Sequence, residues 1–480
     1  MVTILHISDL HRDSDGILTT TSLIESLRRD RERYVEKGIP TPDIAIVSGD
    51  VIHGARGTGD STQVELERQY NEAADFLQQL ANLMFNGKRE RIVLVPGNHD
   101  VSHDYVMQAS AHVEIPDDPE KRRILAKSLS AENSLLRWIA SDFSVRRIQD
   151  AEIYRRRMKP FADFYNKFYQ GLHEFPLDEA EQIALFDYPE LDIAVVGLSS
   201  CCENDLFNRS GRIHPACVAE ATRLVAEPIR KGRIAIATWH HNLSGGPKDS
   251  DYVDPEFLQC LIDGGFSLGL HGHQHRAQYL EHRFTADSER GMAVVSAGTL
   301  CGGPRTLPPG RMRAYNLITL DKSNKKGILH VREMKNSAFG MPIWGEAYIS
   351  EFGGSSVSFN VNLRSTKAFA ENAASEAFEL LRKGEFSAAF NLARSTSNDA
   401  FARRIAVEAL SRLGDWAGIR EFCDPPQSSL EIIALLSSLD ELNDKRGISK
   451  IIQSDYVSNS QDVAVRQMVD QMRLRVGGYQ

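Results

Sequence analysis

The chain has no run near the ~20 consecutive apolar residues that a membrane-spanning helix needs, which argues against a membrane role. Met1 runs directly into the first apolar strand, which reads as a chain expected to carry no secretory leader. Cysteine is scarce: the six residues at 201, 202, 217, 260, 301 and 423 form no C-x-x-C pair. That pattern reads as reduced, mostly buried thiols in a cytoplasmic protein. The adjacent Cys201-Cys202 leaves a redox role open beside simple packing. Positive charge is also short, with a formal net charge of −9. Such a balance disfavours non-specific nucleic-acid binding by the whole surface, though not a local basic patch. Hydrophobic content of 42% and charged content of 25% are those of an ordinary globular protein, and 480 residues suffice for two or three domains.

What is abundant is histidine and acid at strand ends. Five fragments stand out: Ser8-Asp9-Leu10-His11, Gly49-Asp50, Gly97-Asn98-His99-Asp100, His240-His241 and Gly272-His273-Gln274-His275. Each follows an apolar, β-branched run (VTILHI, DIAIV, RIVLV, RIAIAT, FSLGL) of the kind that forms a buried strand. The polar groups therefore collect at the C-terminal ends of successive strands, where α/β sheets build their sites. Asp9, His11, Asp50, Asn98, His240, His273 and His275 offer seven nitrogen and oxygen donors and no thiolate. Such a set suits divalent or trivalent Mn, Fe, Zn or Ni, with Mn preferred, and it exceeds the about four ligands of a single zinc. Two ions sharing a carboxylate would clamp phosphate oxygens and lower the pKa of a shared water.

These motifs, in this order and spacing, resemble the calcineurin-like metallophosphoesterase superfamily over roughly residues 1–335. The resemblance implies an α/β fold, with two sheets packed face to face and flanked by helices. It also implies that Asp9, His11 and His275 hold a first metal, that Asn98, His240 and His273 hold a second, and that Asp50 bridges them. His99 would face the substrate as general acid or phosphate-binding group, with Asp100 orienting its imidazole and raising its pKa. Neighbours on a strand point to opposite faces, so only one of His240 and His241 ligates, and the family pattern favours the first. His53 stands where a tyrosine would mark purple acid phosphatases, which argues against that branch. It is a candidate substrate contact or a loop-holding residue, and His241 is a second candidate contact.

The implied reaction is hydrolysis of phosphodiester bonds by attack of a metal-bridging hydroxide. The substrate would be nucleic acid or nucleotides, with a cyclic-nucleotide phosphodiesterase as the alternative. The second histidine of Gly272-His273-Gln274-His275 weakens a phosphoprotein phosphatase reading.

Residues 1–345 read as the catalytic domain, with a wholly helical insertion at 104–185 expected to cap the metal site. Its section 121–159 holds eleven Lys or Arg against four Glu or Asp, an excess of seven. A basic cap would draw in a polyanion, with Arg155, Arg156 and Arg157 as candidate contacts and solvated helix faces as the alternative. Arg305, in a Gly-Pro loop, is a further candidate. The stripe Phe161, Phe164, Tyr165, Phe168 and Tyr169 has the spacing of a buried helix face. Residues 346–365 read as a closing hairpin and linker turning at Gly353-Gly354. From 366 to 480 the pattern is all-α, with a Gly-acid-aromatic core repeating at Gly384 and Gly414 and a fainter copy from Leu442. That periodicity resembles tetratricopeptide-type repeats, with a plain helical bundle as the alternative. The region is expected to dock a protein partner, such as an ATPase sensor, or to self-associate.

Overall fold

Seven strands (numbered below β1, β2, β3, β8, β9, β10 and β12) are buried at every position. A strand can be apolar and buried throughout only when both faces of its sheet are covered. The computed structural model describes residues 1–12, 18–129, 131, 134–244, 251–254, 256–283, 291–303, 306–308, 310–336, 341–363, 376–378, 380–395, 400–458, 460 and 462–476. The chain divides into two compact units, Met1–Leu363 and Arg364–Gln480.

The first unit opens with β1 (Val2–Ile7), α1 (Thr20–Glu32), β2 (Ile44–Ser48), α2 (Asp60–Phe85) and β3 (Ile92–Val95). The insertion follows as α3 (His103–Ala109), β4 (Ser110–Val113), α4 (Pro119–Leu129), β5 (Leu136–Ile139), β6 (Ser144–Ile148), α5 (Ala151–Arg155) and α6 (Lys159–Tyr169). Then come β7 (Ile183–Tyr188), β8 (Ile193–Leu198), α7 (Pro215–Arg230), β9 (Ile234–Thr238), α8 (Glu256–Gly264), β10 (Leu268–His271), β11 (Gln278–Arg283) and β12 (Gly291–Ser296). The unit closes with β13 (Ala314–Asp321), β14 (Lys326–Met334), β15 (Trp344–Glu346) and β16 (Ser356–Asn360).

Two mixed sheets result. One has the order β15-β14-β13-β1-β2-β3 with β16 also on β14, and the other runs β11-β12-β10-β9-β8-β7. The β1-β2-β3 and β12-β10-β9-β8 runs are parallel. Residues of both sheets, among them Ile4, Ile46, Val195 and Leu270, belong to one core. The α/β two-sheet sandwich is thus the observed architecture. The aromatic stripe of α6 is buried, and Tyr169 donates to the Ile92 carbonyl at 2.6 Å.

Two expectations need correction. The insertion is not wholly helical, because β4, β6 and β5 form an antiparallel sheet. Val145 and Ile148 of β6 and Leu136 of β5 are its buried apolar positions, too few and too irregularly spaced among the arginines to read as strands in the sequence. And the hairpin expected at 346–365, present as an antiparallel bridge between Ile349 and Gly354, belongs to the first sheet rather than to a linker. β15 and β16 both pair with β14, one after the other along the same edge. An open strand edge carries unpaired N–H and C=O groups, and this segment satisfies them. The Gly-Gly turn does exist, with Gly353 at φ 66° inside the loop between the two strands.

A buried ion pair fastens α1 to the first sheet. Asp30 and Arg332 are 1% and 3% exposed, the guanidinium Nε donates to Asp30 at 2.9 Å, and the Tyr315 hydroxyl also donates to this carboxylate. Removing one partner strands the other charge in the core, which costs about 3–5 kcal/mol. Asp30→Ala should therefore lower the urea-unfolding free energy of the first unit by that amount. A loss below about 1 kcal/mol would mean the pair is not desolvated as described.

The second unit is helical among its described residues, with helices at Phe386–Arg394, Ala400–Leu413, Trp416–Cys423, Ser429–Glu441, Lys445–Ile452, Asp455–Ser458 and Val463–Val476. Gly384, Gly414 and Asn443 all take left-handed conformations, at φ 79°, 66° and 57°. The next residue at the last two, Asp415 and Asp444, caps a helix by accepting from the N–H three residues on. Asparagine tolerates that conformation, which explains why the third copy of the turn is faint in sequence.

Candidate metal centre

The loops after β1, β2, β3, β9 and β10 meet at one end of the two sheets and carry the seven donors. The β1 and β2 loops are held in register by Asp9 N–H on the Gly49 carbonyl (3.1 Å) and His11 N–H on the Asp50 carbonyl (3.0 Å). Asp9, His11, Asp50, His273 and His275 all sit at positive φ, between 42° and 77°. Non-glycine residues adopt this region at a cost, and such strain persists where the surroundings over-determine it, as at functional sites. Two glycines make the approach possible. A Cβ on Gly97 would overlap Asp50, and one on Gly49, at φ 93°, would overlap the His240 ring.

Asp9, His11 and His275 form one cluster. His11 Nε2 lies 3.0 Å from His275 Nε2, and Asp9 Oδ1 is 3.2 Å from His275 Nε2 and 3.9 Å from His11 Nε2. Asp50, Asn98, His240 and His273 form the other. His240 Nε2 is 3.1 Å from Asn98 Oδ1 and 3.4 Å from Asp50 Oδ1, and His273 Nδ1 is 3.0 Å from Asn98 Oδ1. The other Asp50 oxygen, Oδ2, lies 3.8 Å from His11 Nε2. One carboxylate therefore faces both clusters.

The donor set fits metal ions. His275 Nδ1–H donates to the Thr306 carbonyl at 2.8 Å, and His240 Nδ1–H donates to the Ser48 carbonyl at 2.8 Å. Each bond leaves Nε2 aimed into the site, the arrangement found for metal-ligating histidines. Burial holds His11 near a pKa of about 3, so its imidazole is neutral. Asp9 Oδ1 is buried without a hydrogen-bond partner, as is His11 Nδ1. Ring nitrogens and a buried carboxylate oxygen converging in the core could hold a cation between them. The same field acts on protons. Burial would lower His240, yet the Asp50 and Asp9 carboxylates override it and raise its pKa to about 9.

His99 stands at the mouth, with 37% of its side chain exposed and Nε2 3.9 Å from Asp50 Oδ2. Its Nδ1–H donates to the His53 carbonyl at 2.6 Å, and its backbone N–H donates to Asp50 Oδ1 at 2.8 Å. Nε2 is thereby turned toward the site. Here the expectation for Asp100 is corrected. Its Oδ2 accepts from the N–H groups of Gly97 (2.8 Å) and Val51 (3.2 Å), and the Tyr70 hydroxyl donates to Oδ1 at 3.2 Å. Burial pushes this carboxyl up to about 7. Asp100 shapes the Gly97–Asp100 turn and joins it to the β2 loop, while the His53 carbonyl orients His99. A residue adjacent in sequence points elsewhere because the turn needs its own N–H groups satisfied.

The other candidates separate clearly. His241 is buried, with its ring nitrogens taken by Ser200 Oγ (2.8 Å) and Asn204 Nδ2 (3.3 Å) and its ring 4.9 Å from that of His273. The His53 ring is exposed, 5.8 Å from the His99 ring and 6.0 Å from the His11 ring. Arg157 contradicts its assignment as a substrate contact. It is 1% exposed, pairs with Glu179 and donates to the Asn204 carbonyl at 3.1 Å. Arg155 is exposed and pairs with Glu152, and Arg156 is exposed beside it. Arg305 lies outside the described residues. One contributor escaped sequence reasoning: Asp251 Oδ2 accepts from His273 Nε2 at 3.2 Å. A lone aspartate in a polar loop carries no motif that could have flagged it.

Nothing among curated proteins matches the chain. Among solved structures, a dimetal phosphatase from Danio rerio is 12% identical with a TM-score of 0.36, covering 72% of this chain and 98% of its own. Vps29 from Chaetomium thermophilum is 10% identical (TM-score 0.25; 76% and 98% covered), as is the calcineurin-like phosphoesterase YfkN from Bacillus subtilis (0.28; 80% and 98%). The model of the calcineurin-like phosphoesterase family matches residues 2–277. That match spans more than half of the chain and includes all seven donors, and the chain belongs to the calcineurin-like phosphoesterase family.

Proposed function

We propose that this chain is a two-metal phosphodiesterase acting on nucleic acid or nucleotides, with Mn as the preferred ion. The observation that carries the reading is the Asp50 carboxylate, which turns one oxygen to His240 and the other to His11 and His99. The family depends on two metal ions, and the nitrogen and oxygen donors suit manganese without excluding iron, zinc or nickel. When bound, the ions would hold phosphate oxygens and lower the pKa of a shared water. The chain's own residues do the rest. Asp50 and Asn98 set the spacing of the two clusters, and His99 offers Nε2 at the mouth. Protonated there, it can pass a proton to the departing alkoxide, a poor leaving group that needs one. The basic insertion supports a polyanionic substrate less than its composition suggested, because Arg137 and Arg157 are consumed by Asp205 and Glu179.

The test is a hydrolysis panel with added Mn, Fe, Zn or Ni: single- and double-stranded DNA, RNA, cyclic nucleotides, dinucleotides and phosphopeptides. Cleavage of DNA, RNA or dinucleotides is the expected result. Exclusive turnover of cyclic nucleotides would favour the alternative, and exclusive turnover of phosphopeptides would overturn the reading. A role in an assembly is a compatible second reading. The helical unit has a groove of about 690 Å³ lined by Phe378, Phe401, Trp416 and Leu430, suited to an apolar protein segment.

A further inference from the structure

We propose that Arg56 and Arg209 bind a second phosphate group of the substrate, next to the one held over the metal centre. The proposal rests on the phosphodiesterase reading and names what the site recognises beyond the reacting phosphate.

The two arginines lie on loops tied to the site residues. Arg56 lies three residues after His53, whose carbonyl accepts from His99, and the intervening Gly54 packs against the His99 backbone. Arg209 precedes Ser210, whose carbonyl accepts from Asn204 Nδ2 at 3.1 Å, the same amide that faces His241. The next residues are pinned by bridges from Gly211 to Val253 and from Arg212 to Cys201, and a Cβ on Gly211 would overlap His241. Both loops are thus held by contacts to residues of the site, the first to His99 and the second to His241. His103, at the start of α3, lies within electrostatic reach of His99, Arg56 and Arg209 together.

Their charges are available. Both side chains are exposed, and among the described residues neither has a carboxylate within ion-pair distance. The nearby acids are already engaged. Asp205 takes Arg137 at 2.8 Å and the Tyr154 hydroxyl at 2.7 Å, and Asp251, which feels Arg209, takes His273. Two unpaired guanidiniums beside a phosphate-handling centre match an anion with its own charge-assisted hydrogen bonds. A phosphodiester chain offers that anion in the phosphate adjoining the scissile one.

The test uses the full, metal-loaded chain and two probes, inorganic orthophosphate and inorganic tripolyphosphate, titrated by calorimetry. Arg56→Gln/Arg209→Gln should weaken tripolyphosphate at least about tenfold, as expected for lost charge-assisted bonds, and orthophosphate by far less. Arg223→Gln/Arg230→Gln removes equal charge from α7 and should reproduce neither effect. In turnover, KM for a 5′-phosphorylated thymidine dinucleotide should rise while kcat holds, with a much smaller change for the unphosphorylated dinucleotide. Arg56→Lys/Arg209→Lys, which keeps the charge, should recover part of the affinity and guards against misfolding. Equal weakening of both anions, no weakening, or the same loss in the α7 control would overturn the assignment. If no diester is hydrolysed with any metal, the phosphodiesterase reading falls, and the tripolyphosphate titration still decides the arginines.

Discussion

Asp50→Asn is expected to lose more than about a hundredfold in activity and to bind fewer metal equivalents, while keeping the fold. Even groups that merely orient metal ligands cost about 10–100-fold when changed, and Asp50 faces both clusters directly. The substitution removes the negative charge between His11 and His240 and turns one acceptor oxygen into an NH2 donor. The backbone should tolerate it. Asp50 sits at φ 51°, a conformation asparagine adopts readily, and the remaining amide oxygen can still accept the His99 N–H. Elemental analysis beside a thermal melt separates the outcomes. Two metal equivalents retained with normal turnover would remove Asp50 from the bridging role.

His99→Ala should behave differently, keeping its metal content and losing turnover. Its backbone N–H, not its ring, is what Asp50 Oδ1 accepts, and alanine preserves that bond. What disappears is the Nε2 at the mouth, held in place by Nδ1–H on the His53 carbonyl. General-acid groups contribute about 10²–10⁴-fold, so a dinucleotide with a poor alkoxide leaving group should slow by that range. A nitrophenyl diester, whose leaving group departs without a proton, should slow much less. Equal loss on both substrates would make His99 a phosphate-binding group instead, and no loss on either would remove it from the reaction. Asp100→Asn should differ again, since its contacts are to backbone N–H groups of the turn: stability should suffer along with turnover.

The insertion shows where sequence reading stops. Its excess of basic residues is real, yet Arg137 and Arg157 close onto Asp205 and Glu179. Arg123, Arg155 and Lys159 pair with acids three or four residues away on their own helices. Composition counts charges and is blind to pairing. Arg56 and Arg209, exposed and without a carboxylate partner among the described residues, belong to no charge cluster and so gave no signal. Likewise β15 and β16 read as a hairpin because their alternation is local. That both pair with β14 depends on an open edge built by residues 326–334.

From the sequence alone, the donor residues, the strand preceding each motif and the α/β class were legible, because strand propensity and ligand chemistry are properties of short segments. Only tertiary structure decided which charges are free, which histidine of a neighbouring pair faces the donors, and what orients His99. Those outcomes depend on groups distant in the chain. Arg137 meets Asp205 68 residues on, His240 meets Asn98 142 residues back, and Asp30 meets Arg332 302 residues on. Burial sets their energetics by raising the cost of any charge left unpaired.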